Sequence, residues 1–309
     1  MTIEFGISTG FAIKRWADPK EWAKVVKEEL GLEHVQFSFD QFDPRAKEQS
    51  VESYCYRVQN ECEKHGITIQ STFAGLSIYA HNLLYHPLVE GRMDGADWFA
   101  HAFHMTKLLG VQTTGGPIGG MDVATFHDSQ KSDYVQQHST ELLIYLLTIA
   151  KQKYGIEAFY WEPTPVERES TLTIEETEKF VEDINQKLNG RGARLSLCFD
   201  IGHTTNPKLD DNNRNPLHWI ETLDDKIDMI HLQQTDGYLD RHYPFTEKYN
   251  RDGMIRGEEV LQTVKKNTTE RLYLEIGHAF EEDDQQVLND LIESVEYWKN
   301  TMKRMGCSY

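Results

Sequence analysis

Cysteine is scarce in this sequence of 309 residues, which contains only four. They form no Cys-x-x-Cys pair and no framework spacing, which argues against a disulfide scaffold and against a thiolate zinc site. Cys55 and Cys62 are seven positions apart on a predicted helix, two turns from each other and too far for an easy disulfide. We therefore expect the cysteines to be free thiols in the core.

Positive charge and long apolar runs are also lacking. The sequence has 32 basic and 50 acidic residues, which gives a formal net charge of −18. Because no local cluster of basic residues offsets this charge, nucleic acid and anionic membranes would be repelled. No apolar run approaches the roughly 18 residues of a membrane-spanning helix, and the first residues lack the basic and apolar regions of a signal peptide. We expect a soluble, cytoplasmic protein that binds neither nucleic acid nor membrane.

Linkers rich in Pro, Gly or Ser and low-complexity segments are absent too; strand and helix signals alternate from end to end instead. The predicted strands are Ile3–Ser8, His34–Phe39, Ile67–Phe73, Val111–Thr114, Ile156–Glu162, Arg194–Phe199, Ile227–Leu232 and Arg271–Ile276. The clearest predicted helices are Asp18–Leu30, Ser50–Lys64, Asp94–Leu109, Ser132–Lys153, Ile174–Leu188 and Asp284–Lys303. Eight consecutive units of this kind predict an α/β protein, a single (β/α)8 TIM barrel over residues 1–309, rather than an open doubly wound sheet.

Local signals support these elements. Asp18 and Pro19 offer an N-cap and a proline at the first helical position, and Thr173 with Glu176 forms the pattern of a capping box. The connection after strand seven, Gln233–Gly257, is too long to be a simple turn. Its mixture of aromatic and cationic residues is typical of a lid over a polar ligand.

The most informative pattern is found where strands five to eight end. Each apolar run finishes with a side chain that can bind metal, in the order Glu162, Asp200, His231 and Glu275, at separations of 38, 31 and 44 positions. A single residue of this kind is more readily explained as an ion pair or a helix cap. Four in succession favour one site, because consecutive barrel strands end at the same rim.

Three carboxylates and one imidazole form a set of donors that suits Mn²⁺, Mg²⁺ or Co²⁺ better than a closed structural zinc site. Such a cation polarises a bound carbonyl and lowers the cost of an enediolate. If Glu162 and Glu275 flank the substrate from opposite faces, one removes a proton bound to carbon and the other returns one. The result would be inversion at a carbon next to a ketone.

Further polar residues close to the same rim are candidates for binding the substrate. The set comprises His203, Arg168, Gln233, Lys14, Arg241 and His242. His203 follows Asp200 by three residues and also suits a hydrogen bond to a ligand residue. Simpler roles stay open for several of them: a buried, satisfied imidazole for His203, a surface salt bridge for Arg168, and a solvated charge for Lys14.

The four strand ends resemble those of the xylose isomerase-like TIM-barrel superfamily of sugar isomerases and epimerases, which includes the ketose 3-epimerases. The order Glu162, Asp200 with His203, His231 and Glu275 matches that superfamily. The resemblance implies metal ligation by Glu162, Asp200, His231 and Glu275, proton transfer by the two glutamates, and a small sugar or sugar phosphate as the substrate.

Three segments resemble a narrower group, the erythrulose 1-phosphate 3-epimerases: Ser8–Trp16, Glu162–Glu169 and His231–Gly237. This resemblance implies epimerisation of a four-carbon ketose phosphate. In the tagatose-type epimerases an arginine lies soon after the metal-binding histidine, whereas Gly237 stands here and the first arginine is Arg241.

Other functions remain open at the level of sequence. An aldose-ketose isomerase uses nearly the same metal ligands, and a sugar-binding protein without catalysis would share the fold. Endonuclease IV shares the barrel and the metal chemistry, but a DNA substrate would require a basic groove that this acidic chain lacks. The sequence does not decide the oligomeric state, and a homo-oligomer is one option.

Overall fold

The computed structural model of the protein describes residues 1–169, 171–265 and 270–309. Eight parallel strands close into a barrel in the order in which they occur along the chain. Strands β1 to β8 are Glu4–Ser8, His34–Ser38, Thr68–Phe73, Thr113–Gly116, Ala158–Trp161, Arg194–Asp200, Ile227–Leu232 and Arg271–Leu274. The predicted (β/α)8 TIM barrel is confirmed.

Helices occupy the connections between the strands. In chain order, helices α1 to α11 are Pro19–Lys24, Glu48–His65, Leu76–Tyr79, Val89–Leu108, Val123–Phe126, Ser129–Tyr154, Ile174–Leu188, Pro216–Thr222, Glu247–Asp252, Gly257–Val264 and Asp284–Arg304. Within the three ranges that the structure describes, none of these helices has the combined length and apolar character needed to cross a membrane.

The predicted helix starts at Asp18 and Thr173 are confirmed. The Asp18 carboxylate accepts a hydrogen bond from the Lys20 N–H, and Pro19 occupies the first turn of α1. At the start of α7, the Thr173 hydroxyl accepts from the Glu176 N–H at 3.2 Å, and the Glu176 carboxylate accepts from the Thr173 N–H at 3.2 Å. The capping box therefore satisfies two backbone donors that a helix start would otherwise leave exposed.

Two predicted helix boundaries differ most from the structure, the end of the first helix and the start of α4. The first helix is α-helical only as far as Lys24 and continues as a π-helical turn over Val25–Glu29. Helix α4 begins at Val89, five residues before the predicted start at Asp94, because the buried Arg92 donates to the carbonyl oxygens of His86 at 2.7 Å and Pro87 at 3.1 Å. A buried charged residue in the first turn of a helix has no signal in the hydrophobic pattern.

The described chain forms two compact units, whose four boundaries fall within strand β2, helix α2, strand β3 and strand β6. The first comprises residues 1–37, 60–69 and 199–309, and the second comprises residues 38–59 and 70–198. In the first unit, Phe245 packs against Tyr297 and Trp298, with ring centroids 5.4 and 5.1 Å apart. In the second, Phe159 of β5 lies between Phe99 and Phe103 of α4, at 5.8 and 6.4 Å.

None of the four cysteines forms a disulfide and all are buried, as predicted. Burial raises the pKa of the Cys55 and Cys62 thiols to about 12. Both thiols therefore stay protonated at neutral pH and pack as small apolar side chains.

Gly6 is required where β1 pairs with β8, since it lies opposite Tyr273 in the register of the two strands. A Cβ atom at this position would lie 2.4 Å from Cε1 of Tyr273 and 2.6 Å from the carbonyl oxygen of His34. We expect Gly6→Ala to lower the free energy of unfolding by about 1–3 kcal/mol, the usual cost of overpacking, as measured by urea denaturation.

The matched control for this prediction is Gly10→Ala. The nearest atom to a Cβ at Gly10 is the Ser8 hydroxyl oxygen at 3.4 Å, an ordinary contact. Gly10→Ala should therefore change the free energy of unfolding by less than about 1 kcal/mol, the size of the difference in helix propensity between Gly and Ala. Equal stability of the Gly6→Ala and Gly10→Ala proteins would contradict the assigned role of Gly6.

Candidate metal centre and active site

Four successive strands deliver the predicted ligands at their carboxyl ends. Glu162 directly follows β5, Asp200 is the last residue of β6, His231 is the penultimate residue of β7, and Glu275 directly follows β8. Asp200 and His231 are fully buried, Glu162 is 6% exposed, and the Glu275 side chain is 24% exposed. The closed barrel places all four strand ends at one rim, where TIM-barrel enzymes carry their active sites.

The four side chains form a cluster that could hold a metal ion. One ligand atom from each of Glu162, Asp200, His231 and Glu275 can be chosen so that all four lie within 4.8 Å of one another. Oxygen and imidazole nitrogen donors of this kind suit hard or borderline divalent cations. The set contains no thiolate, consistent with the predicted preference for Mn²⁺, Mg²⁺ or Co²⁺.

The imidazole of His231 is oriented by Gln36, which lies on β2 and is fully buried. Oε1 of Gln36 lies 2.7 Å from Nε2 of His231. Nε2 of Gln36 lies 3.1 Å from the sulfur of Met229. Because the amide oxygen can only accept, Nε2 of His231 carries a proton. When the ring is neutral, the lone pair of Nδ1 is then available to a cation.

Nδ1 of His231 lies 2.9 Å from Oε2 of Glu275. Neighbouring ligand atoms around an octahedral cation with bonds of about 2.1 Å are about 3 Å apart. Burial alone would raise the pKa of Glu275, but the neighbouring imidazoles of His231, His242 and His203 outweigh it and lower the pKa to about 2. The carboxylate is therefore ionised at neutral pH, as both a ligand and a base must be.

Asp200 provides the clearest test of whether a cation fits. Oδ1 accepts hydrogen bonds from the Gly202 N–H at 2.6 Å and from Nε2 of Gln233 at 3.0 Å. Oδ2 is buried and has no hydrogen-bond partner among the described residues. Burial raises the pKa of Asp200 because nothing compensates the buried charge fully. A cation at Oδ2 would supply the missing partner.

His203, His242 and Gln233 surround a further carboxylate, that of Asp240. Nε2 of each histidine lies 3.2 Å from Oδ2 of Asp240, and Nε2 of Gln233 donates to Oδ1 at 2.6 Å. Burial opposes protonation of His242, but Asp240, Glu275 and Asp200 outweigh it and raise its pKa to about 10. His242 is thus cationic at neutral pH, while the two imidazoles hold the pKa of Asp240 far below its usual range against the effect of burial.

The other predicted substrate-binding cations are engaged with protein groups. Nζ of Lys14 lies 4.4 Å from the centroid of the Phe280 ring, and the Lys14 backbone is left-handed with φ 62°. The guanidinium of Arg168 donates to the carbonyl oxygen of Met121 at 2.6 Å. Nε of Arg241 donates to the Asp236 carboxylate at 2.9 Å.

The predicted lid, residues 233–257, contains helix α9, and hydrogen bonds hold its first half in place. Gln234 and Tyr243 exchange backbone hydrogen bonds at 2.9 and 3.0 Å, and the Thr235 hydroxyl donates to the carbonyl oxygen of Leu239 at 2.7 Å. These bonds form a structured wall after β7, and the lid function stays a prediction.

Sequence reasoning missed two residues of the site, Gln36 and Asp240. A signal existed for Gln36, since it is a polar residue between the apolar Val35 and Phe37 in a predicted strand. Asp240 had no signal, because one acidic residue in a long polar loop is normally solvated.

The chain is matched over residues 25–301 by the family model described as xylose isomerase-like TIM barrel. D-erythrulose 1-phosphate 3-epimerase from Brucella abortus (strain 2308) is 22% identical over 302 residues, covering 96% of both chains.

Solved structures show the same fold. A putative xylose isomerase from Rhodospirillum rubrum is 30% identical with a TM-score of 0.88, and the match covers 96% of this chain and 99% of that chain. D-psicose 3-epimerase from Clostridium cellulolyticum H10, solved with D-tagatose, is 14% identical with a TM-score of 0.72, and the match covers 97% of this chain and 99% of that one. At the latter identity the likeness concerns the fold alone.

Proposed function

Because the chain belongs to the xylose isomerase-like TIM barrel family, we propose that it is a divalent-metal-dependent 3-epimerase of a small ketose phosphate, with erythrulose 1-phosphate as the best candidate substrate. The observation that carries this proposal is the cluster of Glu162, Asp200, His231 and Glu275 at one barrel rim. Two of its members are glutamates, so an acid-base group is available for each face of a substrate carbon that is inverted by proton removal on one face and return on the other.

The proposed ligands of the cation are Glu162, Asp200, His231 and Glu275. Two observations support this assignment: Oδ2 of Asp200 has no hydrogen-bond partner within the described ranges, and Gln36 orients His231. Bound Mn²⁺, Mg²⁺ or Co²⁺ would polarise the ketone of the substrate and acidify the hydrogen on the carbon next to it.

In the proposed reaction the two glutamates work on opposite faces of that carbon. One carboxylate takes the proton, and the electron pair of the broken C–H bond passes into the carbonyl group to give an enediolate. The second glutamate, entering the step protonated, returns a proton to the opposite face, so the carbon is inverted and the two glutamates have exchanged protonation states. The lowered pKa of Glu275, about 2, keeps this carboxylate ionised at neutral pH, so it enters the reaction without a proton.

The remaining candidates are assigned by what they contact. His203 and His242 line the wall beside Asp200 and Glu275 and are proposed to bind hydroxyl or carbonyl oxygens of the sugar. Lys14 is proposed to bind the phosphate, since its ammonium group rests on an exposed aromatic ring. Both amide protons of Gln233 are committed to carboxylates, so its proposed role is to hold the site together. Arg168 and Arg241 are proposed to shape the rim through their bonds to Met121 and Asp236.

Aldose-ketose isomerisation is the alternative, favoured by the similarity to a putative xylose isomerase. Chemistry separates the two reactions. A ketose 1-phosphate has no free hydroxyl on C1 and cannot become an aldose, whereas it can lose and regain the proton on C3.

The proposal predicts that the metal-loaded protein introduces solvent deuterium at C3 of erythrulose 1-phosphate. The protein would be incubated in D₂O with this compound, with erythrulose 4-phosphate and with free erythrulose, and products analysed by NMR and mass spectrometry after metal removal. We expect one deuterium at C3 in both epimers of the 1-phosphate. An aldose formed from the 4-phosphate or the free sugar would support the alternative, and binding without any label would leave only a sugar-binding protein.

A further inference from the structure

The carboxylate of Asp240 joins three side chains of the candidate site. Oδ1 accepts from Nε2 of Gln233 at 2.6 Å, and Oδ2 lies 3.2 Å from Nε2 of both His203 and His242. The two imidazole rings stand nearly perpendicular, with an angle of 80° and centroids 6.0 Å apart. One carboxylate therefore sets the orientation of two rings that flank Asp200 and Glu275.

Gln233 connects Asp240 to the proposed ligand Asp200. The Nε2 group of Gln233 donates to Oδ1 of Asp200 at 3.0 Å as well as to Asp240. Its Oε1 accepts from the backbone N–H of His242, so the amide cannot turn over without losing three hydrogen bonds. Gly202 leaves room for the amide, because a Cβ there would lie 2.4 Å from Cδ of Gln233.

The loop that carries Asp240 is itself held in place. The Asp236 carboxylate accepts from the backbone N–H groups of Tyr238 at 2.9 Å and Leu239 at 3.3 Å, and it also binds Nε of Arg241. That pairing directs the Arg241 guanidinium to Asp236 instead of its sequence neighbour Asp240. The Asp240 carboxylate is thus left to the two imidazoles and the amide.

We propose that Asp240 is a positioning residue of the metal centre, acting through Gln233 on Asp200. With Oδ1 of Asp200 occupied by Gln233 and Gly202, only Oδ2 is free to meet a cation. Hydrogen-bonded groups behind a ligand fix its direction, and their loss commonly weakens metal binding by about 10- to 100-fold. The inference rests on the metal site of the proposed function, but not on the identity of the sugar.

The test compares Mn²⁺ binding to the full-length wild type and to Asp240→Asn, using isothermal titration calorimetry on the metal-free proteins. We expect the dissociation constant of Asp240→Asn to rise about 10- to 100-fold. The control is Asp225→Asn, which removes an exposed carboxylate paired with Lys226 in the segment before β7 and should leave Mn²⁺ affinity within twofold. Nitrogen-15 NMR of the histidine rings provides a second readout, since the Nε2 signals of His203 and His242 should move only in Asp240→Asn.

A second variant, Gln233→Leu, tests the proposed route. If Asp240 acts through Gln233, each single variant and the double variant should weaken Mn²⁺ binding to a similar extent. Asparagine has only one oxygen to serve both the two imidazoles and Gln233, and Gln233→Leu removes the amide itself, so each change disrupts the same connection. Melting temperatures identify any variant that is not folded. Should Asp240→Asn fail to fold, Gln233→Leu alone decides, with a 10- to 100-fold loss expected if Asp200 is held by this amide.

Three outcomes would overturn the inference: unchanged Mn²⁺ affinity in a folded Asp240→Asn or Gln233→Leu protein, losses that multiply in the double variant, or wild-type protein that does not bind Mn²⁺. Failure of the proposed function looks different. Wild-type protein that binds Mn²⁺ but labels no ketose in D₂O would contradict the epimerase assignment, while the effect of Asp240→Asn on metal affinity would still stand.

Discussion

Replacing either glutamate of the proposed pair by glutamine is expected to lower kcat for epimerisation by roughly 10²- to 10⁴-fold, the usual contribution of a positioned acid or base. Glutamine keeps one oxygen that can face a cation but can neither accept nor donate the transferred proton. Glu162→Gln and Glu275→Gln should therefore still fold and still bind Mn²⁺, although more weakly. The measurement is kcat at saturating Mn²⁺ for both variants.

Deuterium exchange makes this prediction specific to two bases. In Glu275→Gln, the epimer whose proton faces Glu162 should still exchange that proton with D₂O without inversion, because Glu162 can both remove and return it. The opposite epimer should be inert, and Glu162→Gln should show the reverse selectivity.

Glu281→Gln serves as the control, because Glu281 is an exposed glutamate on the same connection between β8 and α11. It should retain wild-type kcat. Near-normal turnover in both Glu162→Gln and Glu275→Gln would defeat the assignment of these residues as bases, and loss of exchange for both epimers in each variant would indicate a shared structural defect instead.

The sequence predicted the fold because periodic signals accumulate over eight units. Strands β5 to β8 are largely buried apolar runs, and their carboxyl ends are marked by the residue at which each run stops, as at Glu162 and Asp200. Parallel strands in a barrel share one rim, so spacing along the chain was sufficient to predict which residues would be neighbours. Strand ends and capping residues are local features that a single sequence displays directly.

Hydrogen-bond partners that are distant in sequence could not be predicted. Gln36 and His231 are separated by 195 positions, and Arg168 and Met121 by 47. A sequence shows that a charge or an amide is present, but its partner depends on the path of the backbone between elements. The sequence therefore indicated Arg168 as a candidate for binding a substrate anion but gave no sign of its bond to the carbonyl oxygen of Met121.

Loop conformation was the other property that the sequence did not disclose. The segment after β7 has the composition of a lid, yet Thr235 and Asp236 hold its first half through hydrogen bonds to the backbone. Short polar side chains form such turns by bonding N–H groups two or three residues ahead. A loop of the same composition without these hydrogen bonds would have the same appearance in sequence, so the role of Asp240 depends on the folded conformation of the loop.

Removing the divalent metal is expected to abolish activity and to lower the melting temperature. The structural reason is Oδ2 of Asp200, a buried carboxylate oxygen without a hydrogen-bond partner in the described part of the chain. A ligand that binds only the folded state at 100 times its Kd stabilises that state by about 2.7 kcal/mol, which for a chain of this size raises Tm by roughly 5 °C. Thermal melts and turnover would be measured after dialysis against EDTA and after adding back Mn²⁺, Mg²⁺ or Co²⁺.

The variant Asp200→Asn distinguishes the effect of losing the cation from other effects of dialysis. Asparagine still accepts hydrogen bonds from Gly202 and Gln233 through Oδ1 but carries no buried charge, so the metal-free variant should be at least as stable as the metal-free wild type. The increase in Tm on adding Mn²⁺ should be lost in Asp200→Asn and retained in the exposed control Asp225→Asn. Wild-type protein that is stripped of metal, as verified by elemental analysis, and still turns over at an undiminished rate would show that this cluster of carboxylates does not need a cation to work.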